Sequence, residues 1–196
     1  MQKRLAAALI TIGAVGLLTS IGHLATAAQG RQIRRRNTQV IAARWYTFTS
    51  PDRDFTLDFP REPKREQDNQ GPVTLIRAYG LNTDDGMRFS VNFQDVGGYP
   101  RSNRNNEFAP DYEETVAAAA RREGRRVVQI HRLAKNVVEM ELWQTVEESK
   151  ANLNYLERDI LWRGRVYTLG CGSLVDGREV DKSICRRFFN SMRLAR

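Results

Sequence analysis

The residues able to do chemistry in this 196-residue chain are few and far apart. Nucleophilic catalysis needs a serine or cysteine beside a base that a third group orients. The thiols are Cys171 and Cys185, and the histidines are His23 and His131. Cys171 with His131 would form a dyad, and with it a periplasmic hydrolase or thiol enzyme, only if Cys185 leaves the thiol free. Ser173 has Cys171 and Val175 where a Gly-x-Ser-x-Gly elbow requires glycines. Asp52, Asp54 and Asp58 lack the spacing of a calcium loop, and Asp84-Asp85 before Gly86 is ordinary hairpin chemistry. Glu139, Glu141, Glu147 and Glu148 offer an acid–base pair across a cleft. Their alternation with Val138, Met140 and Leu142 instead favours a solvated sheet face opposite Arg158 and Arg163. The expectation is no catalytic residue, no metal and no cofactor.

The cysteines have a second use. Paired, Cys171 and Cys185 close a loop of about 15 residues, for which chain entropy gives about 3 kcal/mol. The competing reading is two small buried apolar residues in a reduced protein. Compartment decides between them, and the N-terminus speaks to compartment. Met1-Gln2-Lys3-Arg4 is a basic head, Leu5 to Leu18 is a largely apolar run, and Ala25-Thr26-Ala27 supplies a small-x-small exit. That order is a secretory signal over residues 1–27. A retained anchor, an uncleaved N-terminal helix, is the alternative, because Leu5 to Ala28 carries no charged residue. Arg31, Arg34, Arg35 and Arg36 count against translocation, since positive charge tends to stay on the cytoplasmic side. Export to periplasm, lumen or exterior is the expectation that also accommodates the cysteines.

Removal of residues 1–27 takes away Lys3 and Arg4, leaving 169 residues with 29 basic and 23 acidic side chains, a net charge of +6. Residues 28–44 hold five arginines and no acid, with Ile33, Val40 and Ile41 as the sizeable apolar groups. Such a stretch cannot bury enough surface to offset its ordering entropy and reads as a flexible basic arm. Arg121, Arg122, Arg125 and Arg126 straddle the end of a predicted helix, where cations favour the macrodipole. With Arg34, Arg35, Arg36 and Arg186-Arg187 they make a basic surface suited to an acidic protein or an anionic membrane rather than to nucleic acid. A small-molecule ligand is left open by the sequence.

These groups must be held by the elements of residues 45–196, one domain in length. Phe55, Leu57 and Phe59 alternate with polar residues, as in a half-buried strand that Pro60 and Pro63 end. Val73 to Leu81 and Met87 to Val96 are strand-like on either side of a turn with Gly86. Asp111 reads as the N-cap of a helix that Gly124 stops. Val127 to Leu133, Val137 to Trp143, Leu153 to Trp162 and Arg165 to Cys171 continue as strands. A last helix from Arg178 to Phe189 sets Val180, Ile184 and Phe188 on one stripe. Strands joined by short turns predict an α+β fold, an antiparallel sheet with helices packed on one or both faces.

Trp45-Tyr46-Thr47-Phe48-Thr49-Ser50-Pro51 and Phe55 to Pro63 resemble the opening of PsbP-like domains and related exported bacterial domains of unknown function. Tyr167-Thr168-Leu169 and Phe188 to Leu194 are similar to the ending of the same group. The resemblance spans most of Trp45 to Leu194 and implies an antiparallel sheet with helical layers. It implies a partner-binding role, as in photosystem-associated lumenal subunits, and carries no catalytic residue. The expectation is a non-catalytic exported domain binding a protein or membrane surface, as an accessory or assembly subunit.

Overall fold

The computed structural model describes residues 45–66, 77–95, 106–146 and 149–195. The signal segment 1–27, the arm 28–44 with Arg34, Arg35 and Arg36, and Glu147 and Glu148 lie outside the described residues. Among the described residues no helix is long and apolar enough to cross a membrane.

Ten strands and two helices are described: β1 (Tyr46–Thr49), β2 (Phe55–Phe59), β3 (Lys64–Glu66), β4 (Arg77–Asn82), β5 (Met87–Asp95), α1 (Tyr112–Arg122), β6 (Arg125–Ala134), β7 (Val137–Thr145), β8 (Asn152–Trp162), β9 (Arg165–Ser173), α2 (Lys182–Asn190) and β10 (Arg193–Leu194). Seven strands form one sheet in the order β3-β4-β5-β9-β8-β7-β6, and three form a second in the order β1-β2-β10. Every pairing is antiparallel. The predicted α+β class holds, with helices on both faces of the large sheet.

Strand alternation sends successive side chains to opposite faces, so each face has its own core. On one, β2 contributes Phe55, Leu57 and Phe59, β5 contributes Met87, Phe89, Val91 and Phe93, and β9 contributes Leu169 and Cys171. The small sheet and α2 cover this face; the Phe188 ring lies 5.0 Å from Phe59 and 5.3 Å from Phe89. Cys171 and Cys185 are joined in a disulfide, Cα atoms 5.4 Å apart, which ties β9 to α2. On the other face α1 sets Val116 and Ala120 against Val138, Met140 and Leu142. Its alanines leave room for close approach, and Phe108 stacks on Tyr112 with ring centres 3.7 Å apart.

Four local details depart from the sequence reading. Three short strands, β1, β3 and β10, were too brief for periodicity to reveal. The last helix begins at Lys182 rather than Arg178, because Asp181 supplies the cap by accepting from the amides of Ser183 and Ile184 at 2.9 and 3.3 Å. Asp111, by contrast, makes no side-chain cap. Its backbone, at φ −95° and ψ 12°, lies outside the extended region from which a capping side chain reaches back. Finally, Glu139 is on a covered face rather than a solvated one, and is 7% exposed. Arg158 donates to it from Nη2 at 2.6 Å, and α2 closes over the pair through an Arg158–Asn190 bond of 2.8 Å.

Candidate functional site

The thiol dyad does not assemble. Cys171 is fully buried and disulfide-bonded, and no free cysteine is present among the described residues. His131 lies on exposed β6, three strands from β9 in the sheet order, or roughly 14 Å at the usual strand spacing. Ser173 is buried and hydrogen-bonds Val175 within its own turn. Asp84 ion-pairs with Arg61 at 3.2 Å, and Lys182 with Glu141 at 2.6 Å. Among the described residues no group of three or more His, Cys, Asp or Glu side chains could hold a metal ion.

The arginine stretch after α1 divides. A turn at Glu123-Gly124, with Gly124 at φ 74°, carries the chain from the helix into β6. Arg121, Arg122 and Arg126 are exposed and have no carboxylate partner among the described residues. Arg125 is a correction to the expected basic surface, for it is 8% exposed. Strand alternation turns it under α1, where it donates to Glu157 at 3.0 Å and Glu123 at 2.7 Å. Of the remaining three cations, Arg121 and Arg122 sit in the last turn of α1, where they reinforce rather than oppose the backbone dipole, and Arg126 lies on β6.

Beneath α1 the Arg125–Glu157 pair continues into a sealed polar group. Asp159, 2% exposed, accepts from Tyr112 at 3.0 Å and from Thr168 at 2.6 Å. Burial, eased by the Thr168 hydroxyl and reinforced by the charge of Glu157, pushes Asp159 up to about 6. Burial also raises Glu157 above the usual carboxylate range despite Arg125.

A second polar group faces solvent at the opposite side of the same strands. Arg163 at φ 50° and Gly164 at φ 71° make the left-handed pair that a two-residue hairpin requires, and the turn delivers Arg165 and Tyr167 on β9. They meet Asp54, from the turn before β2, with Tyr167 donating at 3.1 Å and Arg165 and Ser50 also donating. Arg165 Nε donates to Asp95 at 2.9 Å. Asp54, Asp95, Trp162, Arg163, Arg165, Tyr167 and Ala195 line a cleft of about 490 Å³. Burial alone would raise Asp54, but the hydroxyls of Ser50 and Tyr167 and the Arg165 guanidinium bring it below its ordinary value. Burial and the charge of Asp54 hold the Tyr167 phenol above the usual range. No motif marks this cleft; its one local signal is the Ser50–Asp54 turn, whose partners lie 111 and 113 residues away.

The fold and these sites define an antiparallel α+β domain in which the Cys171–His131 dyad does not assemble. No family model matches the chain, nor does any curated protein sequence. Solved structures are similar to it. The solution structure of cyanobacterial PsbP from Synechocystis is 12% identical with a TM-score of 0.50, covering 80% of this chain and 96% of that one. The Saccharomyces cerevisiae Ran-binding protein Mog1p is 7% identical with a TM-score of 0.48, covering 78% and 96%. A Pseudomonas aeruginosa protein of unknown function is 11% identical with a TM-score of 0.38, covering 66% and 82%. At 12% identity the likeness to the PsbP structure shows the fold alone, which is PsbP-like as the terminal motifs implied.

Proposed function

We propose that residues 45–196 are a non-catalytic exported binding domain whose exposed arginines at the α1–β6 junction engage an acidic face of a partner protein. The observation that carries this reading is the pairing state of the cations. Arg88, Arg125, Arg158 and Arg165 are each held by a carboxylate within the fold. Arg121, Arg122 and Arg126, clustered where α1 passes into β6, are exposed and have no carboxylate partner among the described residues. Cations of this kind favour encounter with negative potential and weaken steeply with salt. Export through residues 1–27 agrees with a disulfide between Cys171 and Cys185, which persists in oxidising compartments. The basic arm, with Arg34, Arg35 and Arg36, would add to the same positive field.

The test is capture from the exported fraction at low and high salt, with wild type and with Arg121→Glu/Arg122→Glu/Arg126→Glu as bait. A protein retained at low salt, released at high salt and absent from the variant supports the reading. Equal capture by both baits, or capture only of anionic vesicles, contradicts it.

A further inference from the structure

The two edges of the large sheet are unequal. β3 closes one edge with three residues, whereas β6 presents ten at the other, and among the described residues no strand pairs with its outer side. A long open edge offers unpaired backbone donors and acceptors to any extended chain, and proteins usually blunt it. Here the blunting is partial. The β6–β7 ladder slips between Val127 and Gln129 and again between Arg132 and Ala134. The residues extruded by those slips, Val128 and Leu133, are 49% and 52% exposed. Between them Gln129 to Arg132 keep a regular register with Glu141 to Val138.

The charges around this edge select the occupant. β6 contains no acidic residue. Arg125 is neutralised by Glu157 and Glu123, and Arg132 by Glu113. The exposed Arg126 on the strand, and Arg121 and Arg122 at its entry, remain. A second copy adding edge to edge would bring two sets of these cations together, and residues 28–44 carry five arginines and no acid. Both are repelled.

We infer that β6 takes an extended acidic segment of a partner protein as an added strand, with apolar side chains of that segment covering Val128 and Leu133. Val128 and Leu133 are five residues apart, about 16 Å along a strand, so a segment of about six to eight residues spans them. Main-chain hydrogen bonds would supply the docking, and alternating Asp or Glu side chains would meet the arginines. This inference rests on the protein-binding reading above and specifies its geometry.

The probe is a synthetic peptide of about eight residues alternating Glu and Val, titrated into the isotopically labelled protein at low salt. Expected are amide shifts confined to the β6 edge and its α1 entry, slowed exchange of outward amides between Gln129 and Arg132, and no binding of the matching Lys–Val peptide. Affinity should fall about tenfold between about 50 and 300 mM salt and by a similar factor in Val128→Glu/Leu133→Glu. That variant alters only exposed bulge residues, and its dispersed spectrum is the check on folding. Absence of Glu–Val binding, shifts at Arg121, Arg122 and Arg126 without protection on β6, or concentration-dependent pairing of β6 with a second copy each overturns the added strand. Capture lost in the triple arginine variant but unchanged in Val128→Glu/Leu133→Glu would leave the protein-binding reading standing and remove only the edge.

Discussion

Two polar groups built from the same residue types sit on opposite faces of β8 and β9, and they behave oppositely. Under α1, Asp159 accepts from Tyr112 and Thr168 beside the Arg125–Glu157 pair, and is almost wholly sealed. In the cleft, Asp54 accepts from Tyr167, Ser50 and Arg165 while keeping 21% of its side chain exposed. Each aspartate thus has a phenol, a second hydroxyl and a nearby guanidinium. The sealed one is raised to about 6 and the open one is lowered. At Asp54 three donors, one of them a guanidinium, outweigh partial burial. At Asp159 complete burial and the charge of Glu157 outweigh two hydroxyl donors. Neither group leaves a carboxylate without donors, which is why the exposed arginines of the α1–β6 junction, without a carboxylate partner among the described residues, and not these networks, carry the functional reading.

The contrast predicts unequal costs of removing the guanidinium. Arg125→Met leaves Glu157 buried without its partner, and about 3–5 kcal/mol of stability should be lost by urea unfolding at pH 7. Arg165→Met removes the corresponding group from a wetter site, where water can reach Asp54 and Asp95. Its cost should be about 1–2 kcal/mol. Equal losses would break the comparison.

pH separates the two aspartates by sign. The native state holds the Asp159 proton more tightly than the unfolded chain does, because its value rises from 3.8 to about 6. The stability this group contributes is full below about pH 4 and is lost as pH rises through about 6, on the order of 3 kcal/mol in all. Asp54 is lowered, so its contribution is present above its ordinary value of 3.8 and is lost as pH falls through its native value. Subtracting the Asp159→Asn profile from wild type should leave a curve falling from about pH 4 to 7, and subtracting Asp54→Asn one that rises from low pH. Curves of the same sign would show that burial does not govern the difference. A smaller effect sharpens the picture: Tyr112→Phe and Tyr167→Phe should each cost about 1 kcal/mol, with Tyr112→Phe the larger because no water replaces its hydrogen bond.

Much of the frame is legible in the chain. The alternation of Phe55, Leu57 and Phe59 declares β2, Asn136 and Gly164 mark the hairpin turns, and the terminal motifs point to the PsbP-like fold. The sites are less legible because their partners are distant in sequence. Arg125 sits in a run of charges that reads as surface, and nothing near it announces that Glu157 will lie two strands away across β7. Glu139 reads as solvated because its alternation reveals one buried face, whereas β7 has a second cover, α2, that local periodicity cannot register. Asp54 and Arg165 are 111 residues apart, so the cleft exists only after β9 has paired with β5.

The most direct test compares binding at the two regions in one assay: retention, at low salt, of the partner recovered by the exported-fraction capture. Arg121→Glu/Arg122→Glu/Arg126→Glu should lose about tenfold or more in affinity while changing stability by less than about 0.5 kcal/mol. Arg165→Met should bind as wild type does. Full binding by the triple variant together with its loss in Arg165→Met would place recognition in the cleft and contradict the account.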